Sequence, residues 1–345
     1  MSAAETHGSL QLDKLSQLGQ WIYKCGLKFN LVNTTLTAVN VQPEPDVAYL
    51  LGDRYLDFSL CIVFALLFPV IRSVLTRFVF EVSSSSAGAC LPLGRRALSG
   101  RDPKKTDVAV DEKERANKLR KWNESCWKMT VYIAFTVLAT AVSWGEVWFT
   151  DSRYWWLGCT RFPPCNLPVS RGVLLFYCAE AGFYLQAIHF LAVHEERRKD
   201  WHESMIHHVV TSGLLFYSYA VNFTRVGVVV ILIHDVSDIF LELAKLCRYA
   251  DRGDIGVLAF IVFFVSWVVC RVIIFPVFVI RSTLFEPVVL VAAYLGIEPR
   301  PHWEIFNGLL LILFVLHLYW TVLIFQVIMR QFTHGRLTDV REAGE

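Results

Sequence analysis

Residues 226–246 read VGVVVILIHDVSDIFLELAKL. The stretch matches the roughly 20 residues a helix needs to cross a bilayer, and most of it is aliphatic. Yet it carries His234, Asp235, Asp238, Glu242 and Lys245. At about 100° per residue, Asp238, Glu242 and Lys245 fall within about 80° of His234, a polar stripe about three turns long. A charge at the bilayer centre costs about 2.5–3.5 kcal/mol even on the mildest scale. The stripe therefore has to face other helices or water, so this segment is one span of a bundle rather than a lone anchor.

The rest of the chain fits that reading. Of 345 residues, 54% are hydrophobic and 14% aromatic, against 19% charged, a balance foreign to ordinary soluble domains. A net charge of +2, with no basic segment interleaved with stacking aromatics, gives no footing for a nucleic-acid partner. Apolar runs at about 57–80, 127–149, 172–193, 205–222, 226–246, 255–280 and 305–329 are each near span length. They are continuous rather than alternating, which excludes a membrane barrel. The expected fold is an all-α membrane protein, a bundle of about seven transmembrane helices, with no internal repeat. Residues 1–40 lack an apolar core followed by a small-residue cleavage site, so the run from Asp57 is expected to act as an uncleaved first span.

Positive charge sets the expected orientation. Ten Lys and Arg residues lie between Arg95 and Lys121, and Arg197, Arg198, Lys199, Arg248, Arg252, Arg330, Arg336 and Arg341 alternate onto the same side. That side reads as cytosolic. The expected organisation is a lumenal segment at 1–56, a first span at 57–80, a Ser- and Arg-rich cytosolic linker at 81–121, a six-span domain at 122–335 and a cytosolic tail at 336–345. Within the linker, 111–123 reads as a charged helix on the membrane surface. Asn33 and Asn222 are lumenal glycosylation sequons, the second too near the membrane for modification; the Asn123 sequon falls on the cytosolic side. Of nine Cys, most sit in apolar runs as small hydrophobes. Cys159 and Cys165, in a Pro-rich lumenal loop, are either a pair or two separate thiols.

A second span supplies partners for the stripe. In Trp201-His202-Glu203-Ser204-Met205-Ile206-His207-His208, Ser204 and His207 share one side with Thr211 and Ser218, and His208 is turned about 100° away. Only a few residues separate this span from the next, so the two should be antiparallel neighbours. Counted from the turn between them, Asp238 is nearly level with His208, and His234 lies within about 10 Å of it in depth. Glu180 and Gln186 add polar groups to the preceding span, and Arg271 to the span at 255–280. Pro69 and Pro276 should kink their helices. A purely structural polar network is the alternative reading of the whole stripe.

The His count raises the question of a metal. Pairs five residues apart, His189 with His194 and His202 with His207, sit about 140° apart on a helix, which does not suit a shared ligand face, and no metal is expected. The other use of His is proton transfer beside an orienting carboxylate, or attack on a thioester to carry an acyl group. An intramembrane site suits lipid substrates.

The run from Arg197-Arg198-Lys199-Asp200-Trp201 to His207-His208-Val209-Val210-Thr211, then through Arg225-Val226-Gly227 to His234-Asp235-Val236-Ser237-Asp238 and on to Glu242 and Lys245, resembles the Lag motif in order and spacing. That motif belongs to the ceramide synthases of the TLC-domain family. Tyr177 to Tyr184, with Glu180 inside, resembles the helix that precedes it. The resemblance is clear over about 175–250 and implies that 122–335 is a TLC domain in the endoplasmic-reticulum membrane. It implies transfer of a fatty acyl group from acyl-CoA to a sphingoid base, giving ceramide or dihydroceramide, with acyl-CoA as substrate and no cofactor. By resemblance His207, His208, His234, Asp235 and Asp238 are the catalytic positions. Arg197, Arg198 and Lys199 would meet the coenzyme A phosphates, and Glu180, Tyr184, Thr211, Arg225, Glu242 and Lys245 would line the substrate path. The homeobox-like insert that some animal members carry after the first span is absent from this sequence. Membrane lipid surrounds the bundle, and homo- or hetero-oligomers are compatible with it. Competing readings are a non-enzymatic TLC-domain lipid sensor or trafficking adaptor, and a transporter or seven-helix receptor.

Overall fold

The computed structural model describes positions 17, 20, 21 and 24 and residues 54–81, 105–159, 162–193, 199–250, 252–293 and 299–334. Asn33, most of the linker before residue 105, Arg197, Arg198 and the tail 336–345 lie outside the described residues. Helices make up most of the described chain, with no strand among the described residues. In chain order the helices are α1 (Arg54–Leu75, continued by the π-helical turn Thr76–Phe80), α2 (Lys105–Ser143), α3 (Arg171–Val193), α4 (Trp201–Val221) and α5 (Thr224–Tyr249). Then come α6 (Gly253–Trp267), α7 (Arg281–Glu286) and α8 (His302–His334).

Three features differ from the sequence expectation. The helix that begins at Gly253 does not stop near residue 280. It passes through π-helical winding at Val268–Ile280, α7, and a second π-helical stretch at Pro287–Ala293. Pro276 lies inside the first of these. Its missing N–H and the clash with the preceding turn disfavour ordinary α winding there, and wider turns absorb the mismatch without ending the helix. The charged 111–123 stretch, expected as a separate surface helix, is part of α2 and continuous with the span that follows. That helix ends at Ser143, ahead of the expected 149, at a turn where Gly145 takes φ 80°, a left-handed conformation that suits glycine.

Five helical stretches are long and apolar enough to cross a membrane: Asp57–Phe80, Ala116–Ser143, Arg171–Val193, Ile255–Ala292 and His302–Arg330. The protein is an all-α membrane protein. Helices α4 and α5, at 21 and 26 residues, have the length but are not among these five. The first carries His202, Glu203, His207 and His208, and the second Asp235, Asp238 and Glu242.

The described residues gather into two compact units, one drawn from Met1–Ala65, Leu138–Ile233 and Val268–Glu345, the other from Leu66–Val137 and His234–Trp267. In the first, α3 lies directly on the start of α1. A Cβ at Gly182 would stand 2.6 Å from Phe64 Cβ and 2.8 Å from the Cys61 carbonyl oxygen, the small-residue approach by which helices pack in lipid. Beside this contact Asp57, 4% exposed, accepts a hydrogen bond from the Tyr219 hydroxyl, and its carbonyl accepts from the Cys61 and Cys178 thiols.

Helix α4 ends in a Schellman turn. Asn222 adopts the left-handed conformation at φ 61°; its N–H bonds to the Tyr219 carbonyl at 3.2 Å, and the Phe223 N–H bonds to that of Ser218 at 2.7 Å. The Asn222 amide also donates to the Cys165 and Leu167 carbonyls, each at 2.7 Å. This buried side chain is a structural clamp, unsuited to glycosylation. Phe223 packs against Trp156, Phe162 and Phe306. The loop they cover is closed by a disulfide between Cys159 and Cys165, and Arg225 donates to the Tyr154 carbonyl at 2.7 Å. At the same end, buried Glu286 accepts from Ser152 at 2.8 Å, Ser282 at 2.6 Å and Arg281 at 3.0 Å. In this loop the Arg153 guanidinium, hydrogen-bonded to Asp151, holds that carboxyl below its ordinary pKa.

Gly227 has a steric reason of its own. The Tyr177 hydroxyl, which donates to the Thr224 carbonyl at 3.0 Å, occupies the place where a Cβ at 227 would be. In the second unit the Trp122 indole donates to the Phe80 carbonyl at 3.2 Å, satisfying one of the orphan carbonyls at the end of the first span. Phe68 meets Trp127 and Phe135 edge to face. On α5, Lys245 pairs with Glu242 at 2.8 Å, and Glu242 is 2% exposed.

Two stability outcomes are expected. Gly227→Ala lowers thermal stability in detergent by about 1–3 kcal/mol, and adding Tyr177→Phe, which removes the obstructing oxygen, recovers part of the loss. Lys245→Met strands a buried carboxylate and costs about 3 kcal/mol, whereas the double variant Lys245→Met/Glu242→Gln costs less than Lys245→Met alone. Thermal unfolding followed by tryptophan fluorescence checks both.

Candidate active site

Helix α4 is positioned by its neighbours at both ends. The Trp201 indole donates to the Leu191 carbonyl of α3 at 3.2 Å, and at the far end Tyr177 of α3 meets Ser218 at 3.4 Å. Numbers rise along α3 as they fall along α4, so the helices run antiparallel, and Tyr184 arrives opposite His208. Their rings lie 5.8 Å apart. The His208 ring is 5.5 Å from that of His207, and His207 is 5.4 Å from Trp320 of α8 at an interplanar angle of 80°. Trp320 in turn donates its indole N–H to Asp200 Oδ2 at 3.1 Å. The two imidazoles thus stand in an aromatic file, with Tyr184 at one end and Trp320 at the other.

Further polar groups surround the file. Glu180, one turn before Tyr184, is 1% exposed. Buried Gln186 Oε1, Thr211 Oγ1 and Ser212 Oγ have no hydrogen-bond partner. A buried polar atom in that condition costs about 1–3 kcal/mol, and it marks a place where a polar group of a ligand can be received. Lys199 is exposed in the turn that leads into α4, and Arg225 donates through Nη1 to the Tyr154 carbonyl.

On α5, His234 is 7% exposed, Asp235 3%, Ser237 0% and Glu242 2%. The stripe therefore faces the protein and not lipid. Ser237 Oγ donates to the His234 carbonyl at 2.9 Å, and Asp238 is half-buried. The division between the two compact units falls between Ile233 and His234, so the α4 imidazoles belong to the first unit and the α5 group to the second. Among the described residues, no three His, Cys, Asp or Glu side chains come together as a metal-holding set.

Sequence reasoning passed over three residues. Asp200 is quoted in the basic run but given no role, yet it is 2% exposed and bonded to Trp320. Trp320 looks like one more apolar residue of the last span. His317, one turn before it, is fully buried against Phe275 at 5.2 Å. An ionisable group inside a span was the available signal for His317; nothing local distinguishes Trp320.

A pair of half-buried imidazoles, with a phenol beside them and buried carboxylates on neighbouring turns, has the groups to take and return protons or carry an acyl group. Comparison with known proteins narrows the choice. Residues 121–326 match the TLC domain family. Ceramide synthase 1 LOH3 of Arabidopsis thaliana is 37% identical over 294 residues, covering 84% of this chain and 92% of that protein. Ceramide synthase LOH1 of the same plant is 35% identical over 297 residues, again 84% and 92%. Ceramide synthase 5 of Mus musculus is 34% identical over 220 residues, 64% of this chain and 50% of that protein. The matched stretch takes in the whole run from Arg197 to Lys245, and on that footing the chain belongs to the TLC-domain family, with the ceramide synthases.

Proposed function

We propose that the protein is a ceramide synthase that moves the acyl group of a fatty acyl-CoA onto the amine of a sphingoid base. The observation that carries this reading is the His207–His208 pair, framed by Tyr184 and Trp320 on a helix that leads through a two-residue turn to the buried His234-Asp235 group. The amine nitrogen attacks the thioester carbonyl, the C–N bond forms and the C–S bond breaks. One imidazole takes the proton that the nitrogen must lose and passes it to the departing coenzyme A sulfur. In the covalent variant of the same reaction, an imidazole first displaces coenzyme A and the amine then attacks the acyl-imidazole. Within α5, Asp235 or Asp238 orients His234.

The reading places Arg197, Arg198 and Lys199 at the cytosolic face, where they attract the coenzyme A phosphates, and the acyl chain between apolar helix faces. Glu180, Thr211 and Gln186 offer hydrogen bonds to the polar end of the base. Helices α4 and α5 would cross with the other five stretches, with the N-terminus lumenal and the C-terminus cytosolic in the endoplasmic-reticulum membrane. The reaction calls for no metal or further cofactor.

Purified protein given sphinganine and a panel of labelled acyl-CoA chain lengths is expected to release an N-acyl product detectable by mass spectrometry. His207→Ala and His208→Ala should each lower its rate by about 10²–10⁴-fold, the range for losing a proton-transfer group. No amide from the wild-type protein, or an undiminished rate in the double variant, overturns the proposal.

A further inference from the structure

Trp320 and Asp200 stand beside the imidazole pair without a role in the reaction drawn above. Asp200 begins the turn into α4, and His207 lies seven residues on, which returns to the same helix face within about 20°. Trp320 spans that distance. Its indole N–H is bonded to Asp200 Oδ2 at 3.1 Å, and its ring meets His207 at 5.4 Å and 80°. Asp200 is 2% exposed, so the bond is shielded from competing water. The hydrogen bond ties the last helix to the first turn of α4.

We propose that Trp320, held by Asp200, is a positioning residue that fixes the ring plane of His207 for proton or acyl transfer. The inference rests on the reading of His207 as a catalytic group. An imidazole turns about a broad, weakly restricted torsion, so its plane is set by what packs on it. His208, itself a reacting candidate, and Trp320 both pack on it. A general base has to bring one nitrogen within hydrogen-bond reach of the proton it removes, and a displacement of about 1 Å can cost about 10²-fold in rate. Edge-to-face contact with a ring anchored at its own N–H supplies that constraint.

The test uses the full-length protein in detergent or nanodiscs. Trp320→Ala removes the ring, Trp320→Phe keeps a ring but loses the N–H, and Asp200→Leu removes the acceptor. Trp320→Ala should lower kcat about 10–100-fold with KM for both substrates changed less than about threefold. Trp320→Phe and Asp200→Leu should each lower kcat by a smaller, similar factor and shift the acid limb of the pH–rate profile. Combined, they should lose less than the sum of the two single losses, because both remove the same bond. Asp200→Asn, which keeps an acceptor for the indole, should lose less than Asp200→Leu. If Trp320→Ala does not fold, the Phe, Leu and Asn variants carry the test unaided. Additive losses, or an unchanged kcat and pH profile in these variants while His207→Ala is inactive, overturn the positioning role alone. Full activity in His207→Ala overturns the catalytic reading of that residue, and the positioning role with it.

Discussion

Ionisable groups at bilayer depth are expensive unless the protein surrounds them, and that constraint organises this molecule. Helix α5 carries two aspartates, a glutamate and a histidine within three turns, and His234, Asp235 and Glu242 are each less than a tenth exposed. Their burial means that α5 cannot be a lipid-facing strut. Glu242 meets its cost locally, through Lys245 one turn on. Glu286 does so through two hydroxyls and a guanidinium drawn from the loop and from α7. Each such group gives the helix that bears it one favourable rotational setting, since any other would turn the charge toward hydrocarbon.

Hydrophobicity alone cannot hold helices together in lipid, because the tails are as apolar as the side chains. Close backbone approach and buried hydrogen bonds take over. Gly182 lets α3 rest on the start of α1, Gly227 makes room for the Tyr177 hydroxyl, and Asn222 clamps the end of α4 to the disulfide-closed loop. The bonds from Trp201 to Leu191 and between Tyr177 and Ser218 fix the antiparallel register of α3 against α4, and the same register brings Tyr184 opposite His208 some two turns away from Tyr177. The site inherits its geometry from contacts at the other end of the helix.

Much of this was legible beforehand. Continuous apolar runs announced an all-helical membrane protein, and the His-Asp stripe announced a buried face, because both follow from local composition and helical periodicity. Span ends were less readable. Pro276 signalled a kink, but whether a helix stops at a proline or rewinds past it depends on what packs around the freed carbonyl. The pairing of Cys159 with Cys165 was open until their loop was seen folded under Phe223 and Trp156.

By itself, the sequence determined the class of the protein, its family and the residues able to do acid–base chemistry, since those depend on which side chains lie in which apolar segment. Tertiary structure decided what lies against them. Trp320 is 113 residues from His207 in the chain, and no periodicity connects the two. Contacts between helices depend on relative rotation and register, which are settled by packing and buried hydrogen bonds across the bundle rather than by any one segment.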